Sequence, residues 1–221
     1  MWRGGGGVRA EIKFCGLTRA EDARTAAMCG ARYAGVVFAA GARTVTAPAA
    51  RAVLDGAGSA VRRAGVFAVA DPDVIVAAVR EAALDIVQLH GDPSAADVRR
   101  VRAATGAEVW AVVHVSGEPP AGRIAELDGE ADAIVLETRV AGRLGGTGIA
   151  FDWGMAAQGT RPRRSRLVVA GGLDPVNVSL AIAALAPHIV DVSSGVERAP
   201  GIKDADLMRA FADAVRAAGS E

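Results

Sequence analysis

Aromatic residues make up only 4% of this 221-residue chain, and it has two cysteines and three histidines. Cys15 and Cys29 form no CxxC pattern, which excludes a disulfide scaffold and points to a reducing, cytoplasmic setting. His90, His114 and His188 lie far apart in sequence and form neither a His-x-His nor an HExxH pattern, so no metal site is expected. Basic and acidic side chains balance at 25 each. That removes any general attraction to nucleic acid or an anionic membrane. No apolar run approaches the roughly 18–20 residues that cross a bilayer. The stretch Met1-Trp2-Arg3-Gly4-Gly5-Gly6-Gly7 lacks the apolar segment of a signal peptide and reads as a flexible leader. Residues 1–10 are therefore set apart from a single domain over residues 11–221.

What is present is a rhythm. The chain is 51% hydrophobic and 23% charged, enough for one sizeable core. Short Val- and Ile-rich runs at 11–15, 34–38, 63–67, 85–89, 108–114, 132–137, 167–170 and 189–192 read as strands. Several are apolar nearly throughout, as in a parallel sheet buried on both faces. Helices are expected between them. Residues 72–83 begin with Asp71 as cap and Pro72 at the first position, and 94–104 begin with Ser94. Residues 175–185 repeat the cap-then-proline arrangement with Asp174. In 204–218, Leu207, Phe211 and Val215 share one face. Eight strand-then-helix repeats suggest a (β/α)8 barrel. A doubly wound open sheet is the alternative, but it concentrates its chemistry at one switch point. Here chemistry-bearing residues recur after almost every strand.

Cys15 ends the first strand in Lys13-Phe14-Cys15-Gly16-Leu17-Thr18-Arg19, just before a helix start. A thiol there, near helix N-termini and cations, can have a lowered pKa and serve as base or nucleophile; the plainer alternative is a small buried residue. Cys29 has no such context and reads as core. Two loops look suited to phosphate: Ala170-Gly171-Gly172-Leu173 after strand seven and Val192-Ser193-Ser194-Gly195-Val196 after strand eight. Glycines let backbone N–H groups approach an anion, serines add hydroxyl donors, and barrels often bind phosphate at this place. No P-loop lysine pattern accompanies them. His90 ends strand four in Gln88-Leu89-His90-Gly91 and is either structural or functional. Arg43 follows strand two, where its fork can pair with a carboxylate or phosphate. Glu137 is the one carboxylate at the C-terminal end of strand six, with Asp132 at the stability end. The run 144–153, Gly-rich and closing on Phe151-Asp152-Trp153, reads as a lid or an ordinary turn.

Taken in order, these motifs resemble phosphoribosylanthranilate isomerase, a barrel enzyme of tryptophan biosynthesis. The resemblance runs from Lys13 to about Asp204 and includes Gly145-Gly146-Thr147-Gly148 and Asp191-Val192-Ser193-Ser194-Gly195-Val196-Glu197. It implies an Amadori rearrangement that uses no metal and no organic cofactor. It also implies Cys15 as general base, Glu137 as general acid and Arg43 as partner of the anthranilate carboxylate. His90 and Asp191 would line the sugar site, and Gly171, Gly172, Ser193, Ser194 and Gly195 would hold the phosphate. Two positions depart from the family pattern. Leu136-Glu137-Thr138 carries Glu where the family has Asp, one methylene longer. Gly41-Ala42-Arg43 stands where the family has Ser-Pro-Arg, so the loop lacks proline's rigidity.

The partner expected is a small phosphosugar, with no nucleic acid and no membrane, on a monomer or homodimer. Two other functions share these residues: an aldose–ketose isomerase with a shifted substrate, and a phosphosugar-binding protein impaired in catalysis.

Overall fold

The computed structural model describes residues 10–115, 120–138 and 161–219. Eight parallel strands close into a barrel: β1 (Glu11–Phe14), β2 (Tyr33–Val37), β3 (Arg62–Phe67), β4 (Ile86–Leu89), β5 (Glu108–Val115), β6 (Ala133–Thr138), β7 (Arg166–Ala170) and β8 (Ile189–Val192). Each pairs with its chain neighbour, and β8 returns to β1 with Lys13 in register with Asp191. Closure removes the exposed edge that an open sheet would carry. Every strand lies within one residue of its expected bounds, and the open-sheet alternative is excluded.

The helices are α1 (Ala20–Met28), α2 (Ala47–Asp55), α3 (Pro72–Ala82), α4 (Ala95–Thr105), α5 (Ala121–Leu127), α6 (Val178–Leu185) and α7 (Ala205–Ala218). None among the described residues is long and apolar enough to cross a membrane. Caps set their starts. The Asp71 carboxylate accepts the Asp73 N–H, and Ser94 and Asp97 form a reciprocal capping box. Two expectations need correction. α6 begins three residues later than Pro175, because Asp174 spends its carboxylate on the N–H groups of Val176 and Asn177 in a preceding turn. In α7 the buried face is Met208, Phe211, Ala212 and Val215, while Leu207 is 37% exposed. Phe211 and Val215 face inward as expected, Leu207 lies at the edge of that face, and Asp204 caps the helix through the Asp206 and Leu207 N–H groups.

Side chains inside the barrel alternate along each strand. Tyr33, Ile86, Trp110, Val112, Val135, Val168 and Ile189 fill the closed interior, with the Tyr33 and Trp110 rings meeting edge to face at 5.1 Å. Two residues further along the strands, the same columns reach Gly35, Gln88, His114, Glu137 and Asp191. Filled below and polar above, the barrel presents its chemistry at the C-terminal mouth. The N-terminal end carries stability contacts: Asp132 accepts from Arg102 and from the Val109 N–H, and His188 Nδ1 accepts the Leu167 N–H. Cys29 is buried in the core beside α7, in keeping with its plain reading.

Candidate active site

Cys15 follows β1 directly, its N–H bonded to the Val192 carbonyl across the β1–β8 seam. Its thiol is almost fully buried. Beneath it Lys13 is completely buried and donates to Asp191 Oδ2 at 2.6 Å and Gln88 Oε1 at 2.9 Å. A buried ammonium without such partners would not remain charged. Burial pulls Lys13 toward neutrality, but the charges of Asp191 and Cys15 outweigh it and raise its pKa. The expectation of a lowered thiol pKa is reversed. Burial, the largest influence, pushes Cys15 up, and Lys13 offsets this only in part. Asp191 Oδ1 is buried and makes no hydrogen bond among the described residues.

Three strands away on the ring, Glu137 Oε2 lies 3.1 Å from His114 Nδ1 and 3.4 Å from His90 Nε2. The β5–β6 register sets His114 against Glu137, and the two imidazoles meet edge to face at 5.1 Å. Distance along the chain was a poor guide to these histidines. Two of the three share one place, with ligand atoms close enough to hold a metal ion, and His188 sits at the other end of the barrel.

Arg43 reaches Glu197 with Nε and Nη2, at 2.8 and 2.7 Å. Lys203 binds the same carboxylate at 2.8 Å and donates to the Ser193 carbonyl at 3.0 Å. Burial opposes charge on Glu197, but the two cations win and hold its carboxyl below the usual range. Arg43 thus has one edge fixed by Glu197, and its Nη1 makes no hydrogen bond among the described residues. The missing loop proline is compensated locally. The Thr44 hydroxyl donates to the Ala39 and Gly41 carbonyls and ties the turn. Gly16, at φ +69°, lets Arg43 and Ser193 approach where a Cβ would lie 2.6 and 2.8 Å from them.

The two phosphate-type loops touch. A Cβ on Gly195 would fall 1.9 Å from the Leu173 carbonyl oxygen, so the turns after β7 and β8 are packed backbone to backbone. Gly171 and Gly172 both take positive φ, and Ser193 and Ser194 begin the short helical turn Ser194–Val196. Positions 144–153 lie outside the described residues.

The sequence profile described as N-(5'phosphoribosyl)anthranilate (PRA) isomerase matches residues 12–214. The chain belongs to the phosphoribosylanthranilate isomerase family. A relative from Pseudomonas paraeruginosa named N-(5'-phosphoribosyl)anthranilate isomerase is 41% identical over 212 residues, covering 95% of this chain and 97% of that protein. The phosphoribosyl anthranilate isomerase structure from Thermotoga maritima superimposes with a TM-score of 0.83 at 34% identity, covering 94% of this chain and 99% of that one. Another isomerase structure, in complex with reduced 1-(o-carboxyphenylamino)-1-deoxyribulose 5-phosphate, matches at a TM-score of 0.80 and 32% identity, covering 94% and 99%.

Within this isomerase mouth, sequence reasoning assigned no role to Lys13, Gly35, His114, Glu197 or Lys203. A lysine in an otherwise apolar strand was the available signal for Lys13. Gly35 had none, because its importance is spatial. A Cβ there would meet Cys15 Sγ at 3.0 Å, Lys13 Cε at 3.2 Å and Cys15 Cα at 3.3 Å. Gly35→Ala is expected to cost about 1–3 kcal/mol of stability through overpacking. Displacing the thiol should also lower kcat on the order of 10- to 100-fold. Thermal unfolding and steady-state kinetics on one preparation check this, and an unchanged kcat would show that the thiol position is not critical.

Proposed function

We propose that this chain catalyses the isomerisation for which its family is named. N-(5'-phosphoribosyl)anthranilate would become 1-(2-carboxyphenylamino)-1-deoxyribulose 5-phosphate, a step of tryptophan biosynthesis, with Cys15 as base and Glu137 as acid. The observation that carries the assignment is that a buried thiol and a carboxylate share one barrel mouth beside two interlocked phosphate-type loops. Glu137 gives a proton to the ribose ring oxygen as the C1′–O bond opens to the iminium. The Cys15 thiolate takes the C2′ proton, and the electron pair forms the C1′=C2′ bond of an enaminol. The Cys15 thiol then gives its proton to C1′ while the C2′ hydroxyl proton passes back to Glu137 and C2′ becomes the ketone, so both side chains return to their starting state.

Other residues orient the substrate. Gly171, Gly172, Ser193, Ser194 and Gly195 hold the phosphate, and the outer edge of Arg43 takes the anthranilate carboxylate. Asp191 Oδ1 is suited to accept a sugar hydroxyl, and His90 borders the same space. Holding the substrate by both anionic ends converts binding energy into alignment over the thiol.

The test is to supply freshly made phosphoribosylanthranilate and follow the decay of its anthranilate fluorescence. Saturable turnover by the wild-type chain, with the aminoaldose of histidine biosynthesis left unchanged, is expected. Tight binding of a product analogue without turnover would make the chain a binding protein instead.

A further inference from the structure

We propose that His90, His114 and Glu137 form a binding site for one divalent transition-metal ion of the zinc class, at the mouth of the barrel. Three adjacent strands supply the ligands. His90 follows β4, His114 is near the end of β5, and Glu137 faces His114 across the β5–β6 ladder. Metal–ligand bonds of about 2.0–2.1 Å at tetrahedral angles separate neighbouring ligand atoms by roughly 3.3–3.4 Å. Glu137 Oε2 stands 3.4 Å from His90 Nε2 and 3.1 Å from His114 Nδ1, and all three atoms lie within 4.8 Å of one another. Two edges of the ligand triangle therefore already fit, and the third, between the two imidazoles, is no longer than 4.8 Å.

The hydrogen bond behind His114 supports this reading. Its Nε2 is 3.2 Å from the His90 carbonyl oxygen, which can only accept, so Nε2 carries the hydrogen. On the other side of the ring, His114 Nδ1 faces Glu137 Oε2 at 3.1 Å. A ligand imidazole anchored through its other nitrogen to a backbone carbonyl is the usual outer-shell arrangement of metal sites. The three side chains are 35%, 17% and 27% exposed, so an ion can enter and keep an open position. Two imidazoles and one carboxylate suit zinc, cobalt or nickel, whereas magnesium and calcium take all-oxygen sets.

Bound metal would occupy the carboxylate that the isomerisation needs as acid, and inhibition is the expected consequence. That consequence, unlike the binding itself, rests on the role proposed above for Glu137.

The experiment uses the intact, chelator-treated protein. Zinc chloride is titrated by calorimetry and cobalt chloride by visible absorption, with magnesium chloride as control. One equivalent of zinc, a cobalt band of low-coordinate type and no magnesium binding are expected. His114→Ala should weaken zinc binding at least tenfold, and His90→Ala should do the same, which covers failure of either variant to fold. No binding at millimolar zinc would overturn the site. So would binding that survives both histidine substitutions but vanishes in Cys15→Ser, which would place the ion on the thiol. Stoichiometric binding with undiminished turnover would leave the site standing and instead reject Glu137 as the acid.

Discussion

Replacing Cys15 with serine should lower kcat by about 10²- to 10⁴-fold, the usual contribution of a positioned general base, with KM changed little. A serine hydroxyl fills nearly the same volume but does not supply a thiolate. The pH profile is the sharper readout. Burial raises the pKa of the Cys15 thiol, so below that value the protein carries mainly thiol, and the active thiolate grows as pH rises. The thiol's contribution to wild-type kcat/KM should therefore climb through neutral into alkaline pH and level off only above the ordinary thiol range, opposed by the loss of the general acid's proton. Cys15→Ser should lose that limb. Steady-state rates at several pH values, with folding confirmed by circular dichroism, decide it. A serine variant that keeps both rate and limb would remove Cys15 from the mechanism.

Glu137→Gln is expected to have a comparable effect, about 10²- to 10⁴-fold in kcat, because an amide of the same length cannot deliver a proton to the ring oxygen. Glu137→Asp is the more informative partner. It restores the residue type seen in the family pattern but draws the carboxyl back by one methylene from imidazoles now 3.1 and 3.4 Å away. A shift of about 1 Å can cost on the order of 100-fold. The aspartate variant should fall between wild type and the glutamine variant, by about 10- to 100-fold. A faster aspartate enzyme would show that the longer side chain limits the natural rate, and equal activity of the glutamine variant would assign the acid elsewhere.

The architecture was legible because buried parallel strands are written as continuous Val and Ile runs, and the caps at Asp71 and Ser94 mark where chain direction changes. Rotation about a helix axis was less so. In Ala-rich α7 Phe211 and Val215 belong to a stripe with either Leu207 or Met208, and packing against the barrel buries Met208 and leaves Leu207 at the edge. Local motifs picked out Cys15, Glu137 and the two glycine loops. The surroundings that tune them depend on contacts between distant segments. His114 acquires meaning only through the β5–β6 register, and Glu197 through two cations from separate parts of the chain. The thiol's pKa was misread for the same reason. Nearby cations can be guessed from sequence, whereas the depth of burial that opposes them cannot.

The Lys13–Asp191 pair spans 178 residues and bridges the first and last strands. During synthesis, the ammonium emerges near the start of the chain and its counter-charge near the end. Until β8 docks, Lys13 has no anion in register and is better left in water, since burying it alone would carry a large desolvation cost. Closing the ring is therefore what gives Lys13 its counter-charge. The same β1–β8 seam carries the Lys13–Asp191 bond and the Cys15 N–H bond to Val192, and it sets the Ser193 hydroxyl close to Gly16. The contacts that position the Cys15 thiol thus exist only in the closed barrel.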